Sequence, residues 1–396
     1  MDAETFAALM TDDGRSAVDT AEGLLDAGLS ALAVGEQVRR DFTALPPHVA
    51  SAAVGQATLR RRGRVKFGAD ADQMWFTPDG LEQATSAPVA RYRSSRFAAL
   101  AGDLGRPPRV ADLCCGIGGD LRALAAAGCA VTGFDRDPVT VMAARANGAE
   151  DVECVDVETL DLAGFDAVFI DPARRLSGRR TFDVAAYLPP WSFVIAALRA
   201  APAAAAKLAP GIPHEIVPEG FEAEWVSMGG GLKEAVLWAG SFTDGMRRRA
   251  TLLPEGASMS SSSDADELAP SGPLRHYLYE PDDAVVRAHL IGDLARSVDG
   301  VLLDPTTAYI TSDHFVATPF AQAFEVHDVM PFSLKRLRTA LRDRHVGSVT
   351  IMKRGSAIDV EQLRRNLRLS GTESAVVVLA LIGGRHHAAI AAPAAS

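Results

Sequence analysis

The stretch Val110–Gly128, VADLCCGIGGDLRALAAAG, leaves a chain few ways to fold. A short apolar run ends at Cys115, then Gly116, Gly118 and Gly119 crowd into a tight turn, and a helix begins near Asp120. Glycines are required at such a turn because the backbone bends sharply and a ligand must approach it with no Cβ in the way. The same alternation continues downstream. Strands are predicted over 109–115, 130–135, 152–156 and 165–171, with helices over 119–127 and 137–147 between the first three. Short, nearly all-apolar strands separated by helices make a parallel sheet covered on both faces, a doubly wound α/β fold. An alanine-rich helix after 190, a strand near 206–212 and a hairpin of 222–228 with 233–240 complete the pattern.

The residues around the turn select the ligand. A dinucleotide fingerprint counted from Gly116 fails, because Leu121 stands where its third glycine belongs. A pyrophosphate also wants a helix N-terminus free of negative charge. Here Asp120 sits at that N-terminus and Asp112 lies in the preceding strand. Two carboxylates suit a cofactor bearing a sulfonium and an ammonium group, which favours S-adenosylmethionine over NAD. The second strand ends at Asp135, nearly twenty residues after the glycine turn, the spacing at which an acid accepts from ribose hydroxyls. The third ends at Asp156, where a carboxylate could accept from the adenine amino group. The fourth ends in FIDPARR, which puts Asp171 and Pro172 where a methyl group would leave sulfur. The cofactor-binding candidates are Asp112, Cys114, Gly116, Gly118, Gly119, Asp120, Asp135 and Asp156; Asp171 and Pro172 are the catalytic candidates. Cys114 and Cys115 end a buried strand and are expected to pack rather than act as nucleophiles.

In order and spacing, DLCCGIGGD, GFDRDP, VECVD and FIDPARR resemble the cofactor motifs of class I S-adenosylmethionine-dependent methyltransferases, over about 109–243. The resemblance implies a seven-stranded Rossmann-like sheet, with Asp112, Gly116 and Gly118 around the methionine moiety, Asp135 on the ribose and Asp156 near the adenine. Relatives that methylate exocyclic amines carry D/N-P-P-Y/F, whose aromatic stacks on the target base. In this chain the tetrapeptide is Asp171-Pro172-Ala173-Arg174, which puts that chemistry in doubt. The flanks KFGADADQMWFTPDGLEQATSAPVARYRSSRF, LYEPDDAVVRAHL and IMKRG resemble bacterial methyltransferases that end in a THUMP-like domain. THUMP domains bind RNA, usually tRNA, so this second resemblance implies tRNA or rRNA as the partner.

Patterning divides the 396 residues into a helical region 1–95, the core 96–245, a Ser/Asp/Pro/Gly-rich linker or exposed loop 246–272, and a small α/β unit 273–396. The net charge of −10 conceals a basic end, since Pro331 onward carries eleven Lys and Arg against four Asp and Glu. A helix over 331–345 places Leu334, Leu337 and Leu341 on one face and Lys335, Arg338 and Arg342 on another. Those three, with Arg174 and Arg175 in a loop that also holds Arg179 and Arg180, are the substrate-binding candidates. The basic run 60–66 is a further place for RNA. Neither the four cysteines nor the nine histidines show metal-ligand spacing, so neither a metal nor a disulfide scaffold is expected. No secretory signal or long apolar stretch is read, and a cytoplasmic location is expected. A G-x-S-x-G elbow and a P-loop are both missing, which leaves hydrolase and NTPase readings unsupported. Three functions stay open: an RNA methyltransferase, a methyltransferase of proteins or small molecules, and a catalytically silent cofactor- or RNA-binding protein.

Overall fold

The structure is a computed structural model that describes residues 1–174, 187–263, 269–354, 358–382 and 384–394. The chain forms two compact units, Met1–Phe221 with Val236–Asp244, and Glu222–Ala235 with Gly245–Ser396.

The first unit begins with six helices: α1 Ala3–Leu9, α2 Asp12–Asp26, α3 Ala31–Asp41, α4 Pro47–Phe67, α5 Pro78–Gln83 and α6 Ala87–Leu104. Local chemistry sets their starts. Asp2, Thr11 and Ser30 cap the first three by accepting from the amides of Thr5, Gly14 and Ala33. Gly105, in the left-handed region at φ 62°, ends α6. Their apolar stripes bury Phe6, Leu9, Val18, Val34, Val38 and Ala53 around Trp75 and Phe76, and the same cluster takes in Ile117 and Ala143. The helical region therefore shares a core with the α/β layer, whereas sequence patterning separates them at residue 95. Periodicity shows that a helix has an apolar face but not what covers it.

In the basic run 60–66, Arg60, Arg61, Arg64 and Lys66 are engaged within the helical region, while Arg61 and Arg62 remain exposed. Asp19, Glu22 and Asp26 recur along one face of α2, opposite α4. Arg60 pairs with Asp19 at 3.0 Å and Glu22 at 3.5 Å, and Arg61 pairs with Asp26 at 3.0 Å. Arg64 bridges Glu22, Asp26 and Asp72. Lys66 donates to backbone carbonyls.

The strands of this unit are β1 Arg109–Leu113, β2 Ala130–Asp135, β3 Val152–Cys154, β4 Ala167–Ile170, the short pair β5 Ala173–Arg174 and β6 Tyr187–Leu188, and β7 Ala203–Leu208. Helices α7 Gly119–Ala126, α8 Pro138–Ala146 and α9 Trp191–Ala200 connect them. A hairpin, β8 Glu222–Met228 with β9 Gly231–Gly240, leads back so that the second half of β9 lies beside β7. The order β3-β2-β1-β4-β7-β9 reverses direction between β1 and β4, the switch point at which such sheets hold ligands. Register fixes what meets there. Leu113 lies opposite both Phe134 and Ile170, and Ile170 lies opposite Ala206. The next residues along each strand, Cys114, Asp135, Asp171 and Lys207, therefore emerge at one edge of the sheet.

In the second unit β8 pairs in parallel with β10 Arg248–Leu253, which pairs antiparallel with β11 Ala257–Ser261. Much of the predicted linker 246–272 is thus strand, and that reading is corrected. ASMSS carries no apolar signal because β11 is held by its backbone ladder to β10, with alternate side chains exposed; residues 264–268 lie outside the described set. Seven further strands follow: β12 Tyr277–Pro281, β13 Val301–Leu302, β14 Ile310–Ser312, β15 Ala321–Pro331, β16 Val346–Lys353, β17 Glu373–Ile382 and β18 Arg385–Pro393. They form one sheet in the order β13-β14-β12-β15-β18-β17-β16. Two short helices, α10 Asp283–Arg287 and α11 Ile291–Ser297, precede β13; α12 Leu334–Asp343 and α13 Val360–Leu367 flank β16 in the chain. Leu337, Leu341, Leu363 and Leu367 of α12 and α13 pack on Val377, Leu379 and Ile390. Val376 and Val378 join Leu278, Tyr309 and Phe324 in a separate cluster. β17 is an unbroken apolar run because both of its faces are covered.

Candidate active site

The glycine turn is left-handed at three positions: Cys114 at φ 61°, Gly116 at 57° and Gly118 at 81°. At Gly118 a Cβ would make only ordinary contact, 3.4 Å from that of Ala144. At Gly116 a Cβ would meet nothing within 4 Å, so the backbone angle, not crowding, demands glycine. Cys114 bears the steric cost of left-handed backbone without being glycine. Cys114→Gly should accordingly raise folding stability by roughly 0.5–1 kcal/mol after the added chain entropy of glycine is deducted. Urea unfolding that shows no gain would argue against this backbone angle.

Beside the turn lies a cleft of about 580 Å³, lined by Cys114, Gly116, Ile117, Gly119, Asp120, Asp135 and Asp171, and also by Thr77, Gly80, Gln83 and Thr85 of the preceding region. Asp135 accepts from the amides of Gly116 at 3.1 Å and Asp137 at 3.0 Å. Burial outweighs those bonds and pushes its carboxyl above the usual range. Asp171 is raised by burial as well, against the Lys207 ammonium that pairs with it. Burial also opposes ionisation of Asp120, but Arg93 of α6 and the nearby Lys207 offset it and hold the group below its usual value. Thr85 adds a hydrogen bond to Asp120 at 3.0 Å.

Asp112 has no such compensation. It is fully buried, neither oxygen finds a hydrogen-bond partner among the described residues, and burial together with the charges of Asp120 and Asp171 drives it well above the carboxylate range. Burial, with the nearby Asp135 and Asp112 carboxylates, raises the Cys114 and Cys115 thiols, which stay protonated and unsuited to nucleophilic attack.

Not every predicted site residue reaches the cleft. Asp156 is exposed, caps a one-turn helix by accepting from the Glu158 amide at 3.1 Å, and does not line the cavity. Pro172 is buried between Asp171 and Ala173, both of which line it. Arg174 contributes backbone to the β5–β6 pair. Its side chain and Arg175, Arg179 and Arg180 lie outside the described residues. Sequence reasoning missed Arg93, Lys207 and the 77–85 segment. Lys207 left one trace, as the single polar residue of the strand AAAAKL. Among the described residues no group of His, Cys, Asp and Glu could hold a metal, and no helix is long and apolar enough to cross a membrane.

Asp120, Asp135 and Asp171 lining a cleft beside a glycine turn open at Gly116 fit a cofactor with cationic sulfur and nitrogen better than one with phosphates, while Asp112 does not line the cleft. Residues 321–393 match the THUMP domain-like family, and residues 2–63 match a domain family of unknown function. A crystal structure of a putative methyltransferase from Porphyromonas gingivalis shares the fold with a TM-score of 0.74 at 20% identity, covering 89% of this chain and 92% of that one. An uncharacterized S-adenosylmethionine-dependent methyltransferase of Mycobacterium tuberculosis is 38% identical over 339 residues, 82% of this chain and 91% of the relative. The chain belongs to the S-adenosylmethionine-dependent methyltransferases.

Proposed function

We propose that this enzyme methylates RNA, tRNA or rRNA, and that α12 and α13 of the second unit hold it. The observation that carries the reading is the cationic surface of those helices within a region that matches the THUMP domain-like family. Lys335, Arg336, Arg342, Arg364 and Arg365 are exposed, while Leu337, Leu341, Leu363 and Leu367 are buried and Leu334 is half-buried. Arg338 is in part committed elsewhere, donating to the Asn366 carbonyl at the end of α13, and Arg342 reaches the Arg368 carbonyl at 3.4 Å. Arg336 thus replaces Arg338 in the outward-facing set.

In the first unit the turn from Cys114 to Gly119 would cradle the methionine moiety, and Asp135 would take the ribose. Asp120 would act through its charge near the methionine end. Bound S-adenosylmethionine supplies an electrophilic methyl group on a sulfonium. Asp171 and Pro172 stand at the sheet edge where the acceptor would be oriented, and orienting an acceptor in line is the main task in such a transfer.

Reversing Lys335, Arg336 and Arg364 to glutamate should weaken retention of tRNA on filters at least about tenfold and lower the salt slope by about 0.7–0.9 for each phosphate no longer neutralised. Calorimetric binding of S-adenosylmethionine should be unchanged. Wild type that retains no tRNA at about 50 mM salt, or reversed protein that retains it equally, would overturn the reading. The acidic lining of the cleft, with Asp79, Asp120, Asp135, Asp137 and Asp171, favours one other acceptor class in that event: a protein or small molecule.

A further inference from the structure

One wall of the cleft comes from Thr77–Thr85, a segment that contains α5 and to which the sequence assigned no role at the site. The end of this short helix is fixed by two lysines. Lys66, near the end of α4, donates to the carbonyls of Leu81, Glu82 and Ala84 at 2.8, 2.7 and 2.7 Å. Lys207, on β7, donates to the remaining carbonyl, Gln83, at 3.2 Å. Four consecutive carbonyls that a helix end leaves without partners are thus held by ammonium groups.

The segment also touches three parts of the cleft. A Cβ on Gly80 would fall 2.5 Å from Cγ2 of Ile117, so the helix lies directly against the glycine turn. Thr85 donates to Asp120 at the start of α7. Lys207, while holding Gln83, pairs with Asp171 at the end of β4. The side-chain exposures of Lys207 and Asp171 are 14% and 26%, so this pair is shielded enough to hold its geometry.

We propose that residues 77–85 are a cofactor-binding element of this enzyme, and that Lys207 is the positioning residue tying that element to Asp171. A ligand that orders one then orders the other. The inference rests on the cofactor and is independent of the RNA acceptor.

Amide hydrogen exchange and calorimetry with S-adenosylhomocysteine, the demethylated cofactor, test it without any acceptor. In wild type the nucleoside should slow exchange across 77–85 as well as across 114–119. Lys207→Met should lose that protection in 77–85 and weaken binding about tenfold, while Lys207→Arg, which keeps a cation, should recover most of both. Gly80→Ala, which drives a methyl group into Ile117, should weaken binding by a similar factor without touching Lys207 and stands in if the lysine variant fails to fold. Wild-type binding that protects 114–119 but leaves 77–85 unchanged would overturn the proposal alone. A Lys207→Met protein with wild-type affinity and protection would reduce Lys207 to a structural prop. Wild type that binds no S-adenosylhomocysteine would overturn the cofactor cleft together with the element.

Discussion

Arg93→Met should cost about 3–5 kcal/mol of folding stability at neutral pH, the usual penalty for leaving a buried charge without its partner. The Arg93 and Asp120 side chains are only 3% and 11% exposed. The guanidinium also lies 4.6 Å over the Phe169 ring and accounts for much of what keeps Asp120 ionised. Asp120 has its folded pKa below the ordinary 3.8, so its contribution is present above that value and is lost as pH falls through the depressed one. In the variant, burial acts on Asp120 with little opposition and its pKa should rise. The deficit should then be largest near neutrality and shrink as acidification lets the group take up a proton. Urea unfolding at pH 7 and in mild acid measures this, and the double variant Arg93→Met, Asp120→Asn should recover part of the loss. A deficit below about 1 kcal/mol, the range of exposed pairs, would show that water reaches the pair.

Asp112→Asn should have the opposite sign. Its carboxyl is raised rather than lowered, so protein with Asp112 is favoured below the ordinary value of 3.8 and loses that stability as pH climbs toward the raised one. Asparagine cannot ionise and escapes the loss. The variant should match wild type in acid and exceed it by about 1–3 kcal/mol near neutrality, the scale of an unsatisfied buried polar group. Its affinity for S-adenosylmethionine should fall. An advantage independent of pH would mean that Asp112 finds a partner in solution. An unchanged affinity would confine the residue to the core.

The α/β core was legible because its signals are local. AVTGFD occupies Ala130–Asp135 as read, and the helix after the turn runs Gly119–Ala126. The strand expected at 206–212 instead spans Ala203–Leu208, because alanines that are buried here carry little apolar signal of their own. In the C-terminal sheet GVLLD at 300–304, SVTIMKRG at 348–355 and ESAVVVLALIGG at 373–384 read as strands and cover β13, β16 and β17. β15 and β18 alternate or carry histidine and alanine, and they are held by pairing with one another. At the site, the glycines and strand-end acids declare themselves by spacing. Arg93, Thr85 and Lys66 do not, because what gives each its role is a partner between 8 and 35 residues away that no local pattern specifies.

Recombination should find the boundary at residue 95 closed. A transferred gene segment beginning there would carry the glycine turn without Arg93, the counter-ion of its Asp120, and would uncover Ile117 and Ala143. The helices ahead of the turn are inherited with it or not at all. A lineage that loses them should lose cofactor binding in the same step, with every strand-end acid still in its sequence.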